Sequence, residues 1–367
     1  MKICYIIPDF GNGGIEALLF NYISRMDRKN FNITILSYGA SDRACVGKFE
    51  RLGIKIFVFS HMRKKFVNSC LQILNIMRSE RFDIVHSHVN EFNCVLVGLA
   101  FLAGIKVRIS HSHAANIPFS SPLKKLIYKI KCMGGMVFAT DYWACGKKAG
   151  AFLFGERAVK KGKVHIMNNA VNCELFQYST IHREAVQNEL DLHGFYCIGH
   201  VARFDKQKNN EFVIDLIHQL SRINDKFKLL WIGDGKDRSK VENIIKDKRL
   251  ENKIILLGTI NDIYRYYQAM DIFILPSLFE GLPICAIEAQ LTGLPTLLSN
   301  TITDEVKLSD LVSMLPIDNI QLWIDKIVWS MNSMNANIRE SRYFEEYDID
   351  KQIKVLERSY NEMYKKR

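Results

Sequence analysis

The stretch FEGLPICAIEAQLTGLP, residues 279–295, decides how this chain is read. It follows DIFILPS (271–277), an apolar, β-prone run of the kind that makes a buried parallel strand. Gly281 and Pro283 break that strand, and ICAIEAQLTG continues with helical spacing until Gly293 and Pro295 stop it. Glu280 and Glu288, seven residues between them, therefore fall in the turn before a helix and about two turns along it. Helix N-termini attract phosphate, because their free N–H groups and the helix dipole both favour anions. Such a turn, flanked by two carboxylates that accept from hydroxyls, suits a ligand with both groups, as a sugar nucleotide has. The competing reading of the spacing alone is an ordinary helix with surface glutamates.

The segment GHVARFDKQKNNEF (199–212) places Arg203 and Lys208 just after a strand. Two cations there suit a departing nucleoside diphosphate, whose β-phosphate gains negative charge. WIGDG (231–235) follows. This order, the Arg/Lys element, WIGDG, then E-x7-E with GLP after its first Glu, resembles the retaining glycosyltransferases of family 4, which have the GT-B fold. The resemblance runs through most of the chain and is close in the second half. It implies an α/β chain of two Rossmann-like domains with parallel sheets facing a central cleft, and a C-terminal helix crossing back to the first domain.

The resemblance also implies roles. Glu288 would accept hydroxyls of the donor ribose, and Glu280 would face the transferred sugar. Gly281, Leu282 and Pro283 would line sugar and phosphate with backbone, while Arg203 and Lys208 grip the diphosphate. Leu257 and Gly258 would lie beside the nucleobase. Asp271 recurs in the family and is expected to hold the strand or a neighbouring loop. One departure is His200, where the family often has a second glycine, and it is expected to alter the loop without abolishing it.

In the first half, FGNGGIE puts Gly13 and Gly14 at the first strand-to-helix turn. G-x-G-G is a poor match to the dinucleotide fingerprint, so an NAD site is not supported. In the family this loop lets the diphosphate or acceptor approach backbone, which suits residues without a Cβ. His86 and His88 end one strand pattern, and His111 and His113 end another. Residues i and i+2 of a strand share a face, so each pair could chelate a metal. No carboxylate or cysteine completes either set, and the resemblance implies catalysis without metal or other cofactor. The family places a histidine near the reacting sugar at the end of the strand matching RISHSH. His111 and His113 are both candidates for it, with His113 favoured.

Length and composition agree. At 367 residues two domains are expected, and 48% hydrophobic residues leave no room for large disordered regions. Strand and helix patterns alternate through the first half and restart after Phe176, which suggests domains at 1–176 and 177–340. By resemblance, the first binds the acceptor and the second the nucleotide sugar. Residues 341–367 would form the returning helix. CVLVGLAFLAGI (94–105) is too short to span a bilayer, and the first residues lack the long apolar region of a secretory signal, so a cytoplasmic location is expected. Nine scattered cysteines suggest neither a disulfide framework nor a zinc site, and Cys4, Cys197 and Cys285 read as core residues.

The net charge of +11 is uneven, with a lysine-rich run between Lys124 and Lys163. PLKKLIYKIKCMGGMVF (122–138) mixes lysines with apolar residues, as a helix lying on an anionic membrane does. A solvated helix packed on its own domain fits equally. No nucleic-acid motif accompanies the charge, so no such partner is expected. The resulting expectation is a sugar transfer with retention, from a nucleotide sugar such as a UDP-sugar to a glycan acceptor. The variant flavour resembles bacterial capsular, exopolysaccharide and O-antigen enzymes, which implies a polyprenyl-diphosphate-linked acceptor at the inner membrane face. The alternatives are a nucleotide-sugar epimerase of similar architecture, which lacks the E-x7-E region, and a non-catalytic nucleotide-binding, membrane-associated protein.

Overall fold

The computed structural model describes residues 1–11, 13–40, 42–59, 66–113, 121, 123–124, 126–128, 136–333 and 339–367. The chain divides into two compact units, Met1–Val171 with Glu346–Arg367, and Asn172–Glu345. Each is built on a parallel sheet with helices between successive strands, the arrangement of a Rossmann-like domain.

In the first unit β1 (Lys2–Ile7), β2 (Asn32–Ser37), β3 (Lys55–Val58), β4 (Ile84–Ser87), β5 (Val107–Ser112), β6 (Asp141–Ala144) and β7 (Val164–Ile166) pair in the order β3-β2-β1-β4-β5-β6-β7. Ile3 to Ile7 are wholly buried, as in a strand covered on both faces. The strand order reverses between β1 and β4, so the loops after these two strands emerge side by side.

The C-terminal helix Ile349–Lys365 belongs to this unit. Asp348 caps it, and its buried residues Ile349, Ile353, Leu356 and Tyr360 fall on one face at helical spacing. The Tyr360 hydroxyl lies 2.8 Å from that of Tyr5 on β1 and 2.7 Å from His86 Nδ1 on β4. His86 Nε2 continues the chain to His111 Nδ1 on β5 at 2.9 Å. A second imidazole pair, His88 Nδ1 to His113 Nε2 at 2.7 Å, stacks on the first. Each pair needs one N–H and one lone pair facing each other, which neutral imidazoles supply. Burial pushes His86, His88 and His111 well below the usual histidine range and His113 down to about 3, so all four are neutral near pH 7.

The second unit contains β8 (Tyr196–Val201), β9 (Phe227–Ile232), β10 (Ile254–Gly258), β11 (Ile272–Leu275), β12 (Thr296–Ser299) and β13 (Val312–Leu315), ordered β10-β9-β8-β11-β12-β13. Its core gathers Val213, Ile217, Leu220, Phe227, Trp231, Trp323 and Ile327. Asp271 locks β11 to β8: one carboxylate oxygen accepts from the Cys197 N–H at 2.8 Å and the other from Arg183 at 2.7 Å. Here too the order reverses beside the first strand, between β8 and β11.

The histidine array makes stability depend on pH. The folded-state values lie below the ordinary histidine value near 6.5, so the unfolded chain binds more protons on acidification. Each such histidine is expected to cost about 1.4 kcal/mol per pH unit once pH falls below about 6.5. Urea unfolding at pH 7.5 and pH 5.5 should show this loss, and replacing His86 and His111 together by apolar residues should reduce it to the part that His88 and His113 contribute. A stability that does not change between these pH values contradicts the neutral array.

Candidate active site

At the reversal of the second sheet, the loops leaving β8 and β11 are tied directly together. After β8, Asp205 accepts from the Gln207 N–H at 2.9 Å and shapes the turn Lys206–Lys208. Asn209 then takes left-handed backbone (φ 58) before helix Asn210–Ile223, and its side-chain N–H donates to Pro276 O. The Leu278 N–H donates to Gln207 O at 2.8 Å. Gln207 Nε2 donates to Phe279 O at 2.8 Å and to Glu280 Oε2 at 3.1 Å. Lys208 Nζ donates to Glu280 Oε1 at 2.5 Å, with the two side chains 12% and 10% exposed. Burial opposes the Lys208 charge, but the Glu280 carboxylate holds its pKa above the usual lysine value.

Lys208 and Glu280, read from the sequence as separate contacts to diphosphate and sugar, are thus partners. Arg203 is the more available cation: its side chain is 47% exposed, with Asp205 at 3.5 Å. WIGDG has a steric reason. Gly233 has φ 142, and a Cβ there would lie 2.1 Å from Ala202 O, while one on Gly235 would lie 2.6 Å from Phe204 O. The two glycines let the loop after β9 lie against the backbone that carries Arg203. The Gly233 N–H also donates to Gly258 O at 2.8 Å. Beside it, Leu256 pairs with Trp231 and Gly258 with Ile232, so Leu257 is the extra residue of a bulge, left out of the ladder.

Helix Ile284–Leu291 starts after Pro283, and no side chain caps its N-terminus. Glu288 is its fifth residue, so it lies just over one turn in, not two. Leu282 and Pro283 are buried, and Gly281 is partly exposed. The Tyr267 hydroxyl donates to Glu288 Oε2 at 2.8 Å, with Cys285 O also in reach at 3.1 Å. Burial pushes the Glu288 carboxyl up to about 7, the Tyr267 bond pulling the other way. Cys4 and Cys197 are core residues, whereas Cys285 is partly exposed on this helix, its thiol pushed up to about 12 by burial.

His200 differs from expectation. It sits within β8, fully buried, its Nδ1 2.9 Å from Ile274 O on β11. A carbonyl only accepts, so Nδ1 carries the proton. Its ring packs edge-on against Trp231 at 5.0 Å. The histidine therefore joins strands inside the sheet.

In the first unit Gly13 precedes helix Gly14–Ile23. Glu16, on the first turn of that helix and 7% exposed, accepts from the Gly11 N–H at 3.1 Å, and its Oε2 would meet a Gly13 Cβ at 2.8 Å. An acid therefore already lies over the glycine turn. Of the two candidate histidines, His111 is sealed at 0% exposure, whereas His113 is half-buried. Ligand nitrogens of His86, His88 and His111 lie within 4.8 Å of one another. The His86 and His88 rings are stacked 4.3 Å apart at 25°. The His86 and His111 nitrogens that face each other already share a hydrogen bond.

Within the second unit the fold brings Arg203, Lys208, Leu257, Gly258 and Glu280 to the C-terminal ends of strands or the loops leaving them, and Glu288 to the second turn of the helix that follows. Sequence reading missed Gln207, Tyr267, Glu16 and Tyr360. Gln207 sits inside the Arg/Lys element and Glu16 closes the quoted FGNGGIE, so both could have been found there; Tyr267 and Tyr360 carry no local signal.

Comparison with known proteins bears on the family and the fold. Residues 12–175 match the family described as Glycosyltransferase Family 4, and residues 183–307 match Glycosyl transferases group 1. The chain is 28% identical over 378 residues to the glycosyltransferase EpsF of Bacillus subtilis, covering 98% of this chain and 96% of that one. It is also 28% identical over 244 residues to an Escherichia coli UDP-Gal:alpha-D-GlcNAc-diphosphoundecaprenol alpha-1,3-galactosyltransferase, covering 64% of this chain and 62% of that one. The crystal structure of Anabaena HepE with UDP-glucose shares the fold, with a TM-score of 0.75 at 16% identity over 100% of this chain and 98% of that one. The parallel sheets, the returning helix and these matches together make the chain a GT-B glycosyltransferase related to the group 1 and family 4 enzymes of bacterial capsular, exopolysaccharide and O-antigen synthesis.

Proposed function

We propose that the protein moves a sugar, with retention, from a UDP-sugar to a lipid-linked glycan acceptor. The Asn172–Glu345 unit takes the donor and the Met1–Val171 unit the acceptor. The observation that carries the reading is the convergence of Arg203, the Lys208–Glu280 pair, the uncapped helix start after Pro283 and Glu288 at one end of one sheet. Cationic groups and free helix N–H groups stabilise a departing diphosphate. Glu288 accepts from the ribose. Glu280, both of whose oxygens are held by Lys208 and Gln207, presents a fixed negative edge to the positively polarised sugar. The acceptor then attacks on the face the phosphate leaves, and that phosphate takes the acceptor's proton. Metal is not invoked, because Arg203, Lys208 and the helix N-terminus meet the developing charge. UDP and the diphospholipid acceptor are adopted from the relatives, whose names specify them.

The exposed side chains of Leu123, Leu126, Ile127 and Val137 support seating on an anionic membrane surface. Much of 122–138, including Lys125, Lys129 and Lys131, lies outside the described residues. Among the described residues no helix is long and apolar enough to cross a membrane.

Three outcomes test these assignments. Arg203→Ala and Glu288→Ala should each lower turnover by about 10²–10³ with the fold retained by circular dichroism; near-normal rates in either would contradict the donor site. Binding of hydroxyls favours the ionised Glu288, so UDP affinity should weaken as pH falls through about 7. Tyr267 hydrogen-bonds to it and Cys285 lies beside it, while Lys208 and Glu280 in turn act on Cys285. Ionisation of the UDP phosphate is common to Glu288→Gln, which should lose only the Glu288 part of the profile in calorimetric titrations. Finally, the protein should float with vesicles containing anionic lipid at low salt and not with neutral ones; failure to bind either removes the membrane proposal alone.

A further inference from the structure

Tyr267 is fully buried, yet its hydroxyl reaches the one carboxylate assigned to the ribose. Its ring is fixed between Phe176, edge-on at 5.6 Å, and Phe273 at 5.9 Å. Its backbone is fixed as well. Tyr267 stands near the end of helix Ile263–Ala269, whose last carbonyls have no partners within the helix. Arg339 supplies them, with Nη1 donating to Gln268 O at 3.0 Å and Nη2 to Tyr267 O at 3.2 Å and Met270 O at 2.7 Å. Arg183 adds a bond to Gln268 O at 3.1 Å while paired with Asp271. Two guanidinium groups at a helix C-terminus also complement its dipole.

We infer that Tyr267, clamped in this way, is a positioning residue that orients Glu288 for recognition of the ribose hydroxyls. This rests on the donor-site reading above. The phenol has one proton and two acceptors in reach, Glu288 Oε2 at 2.8 Å and Cys285 O at 3.1 Å. A hydrogen bond to an ionised carboxylate is the stronger of the two, so the proton goes to Glu288 when that group is charged. One oxygen is thereby tethered, and the carboxylate plane is held on a flexible side chain that would otherwise sample several rotamers. Among the described residues Oε1 has no hydrogen-bond partner and remains for an incoming hydroxyl. Recognition of a vicinal diol requires that fixed orientation, because two hydroxyls must meet the carboxylate at once.

The test compares UDP with 2′,3′-dideoxyuridine diphosphate, which keeps base and diphosphate and lacks the ribose diol. Dissociation constants are measured by calorimetry at pH 8 for wild type, Tyr267→Phe, Glu288→Gln and the double variant. Tyr267→Phe keeps the ring packing. It should weaken UDP binding about tenfold, the loss of one hydrogen bond to a charged group, and leave the dideoxy ligand within about twofold. Adding Tyr267→Phe to Glu288→Gln should change UDP binding no further. Equal weakening of both ligands would mean that Tyr267 only supports the fold, and unchanged UDP binding would mean that it does not act on Glu288. Either overturns the proposal while the donor site stands. A wild type that binds both ligands equally, or neither, overturns the Glu288 assignment and this proposal with it.

Discussion

The ion pair between Lys208 and Glu280 is the constraint on which the second unit's site depends. Taking both charges largely out of water is costly, and removing either partner leaves the other buried without compensation. The pair therefore survives only with close geometry and further hydrogen bonds, which Gln207 supplies to the second Glu280 oxygen. Because β8 and β11 are neighbours at the reversal of the sheet, the two loops that leave them can meet at all. The ion pair, the Gln207 bonds and the Asn209 bond then fix their spacing. Arg203 and the helix start after Pro283 inherit their positions from that joint.

Backbone contacts of glycine extend the same frame. Gly233 and Gly235 bring the loop after β9 within van der Waals range of the Arg203 segment, and the Gly233 N–H reaches Gly258 at the end of β10. The ends of β10, β9, β8 and β11 are thus coupled by backbone as well as by side chains. Asp271 and His200 work beneath this layer, joining β8 to β11 inside the unit. Glu288 is anchored from a third direction, through Tyr267 and the arginines that cap its helix.

The first unit solves a different problem. Four imidazoles on two adjacent strands can be buried together because burial keeps them neutral and each pair satisfies one donor with one acceptor. Tyr360 connects that array to the C-terminal helix and to Tyr5, so the end of the chain is hydrogen-bonded into the centre of the sheet. Over the glycine turn, the Glu16 carboxylate already accepts a backbone N–H, which makes this helix start less hospitable to a diphosphate than the uncapped one after Pro283.

Much of this was legible locally. Period-2 and continuous apolar runs marked the strands, glycine and proline marked their ends, and the order of the Arg203–Lys208 element, WIGDG and E-x7-E pointed to the family. Those signals live within a few residues of one another, where strand alternation and helical spacing act. What the tertiary structure alone decided are contacts across long separations: Lys208 with Glu280 over 72 residues, His86 with Tyr360 over 274, and Tyr267 with Glu288 across a strand and a turn. It also turned His200 inward and left Leu257 outside its ladder. Spacing along the chain cannot report such pairings, because strand order and register, not sequence distance, determine which side chains meet in space.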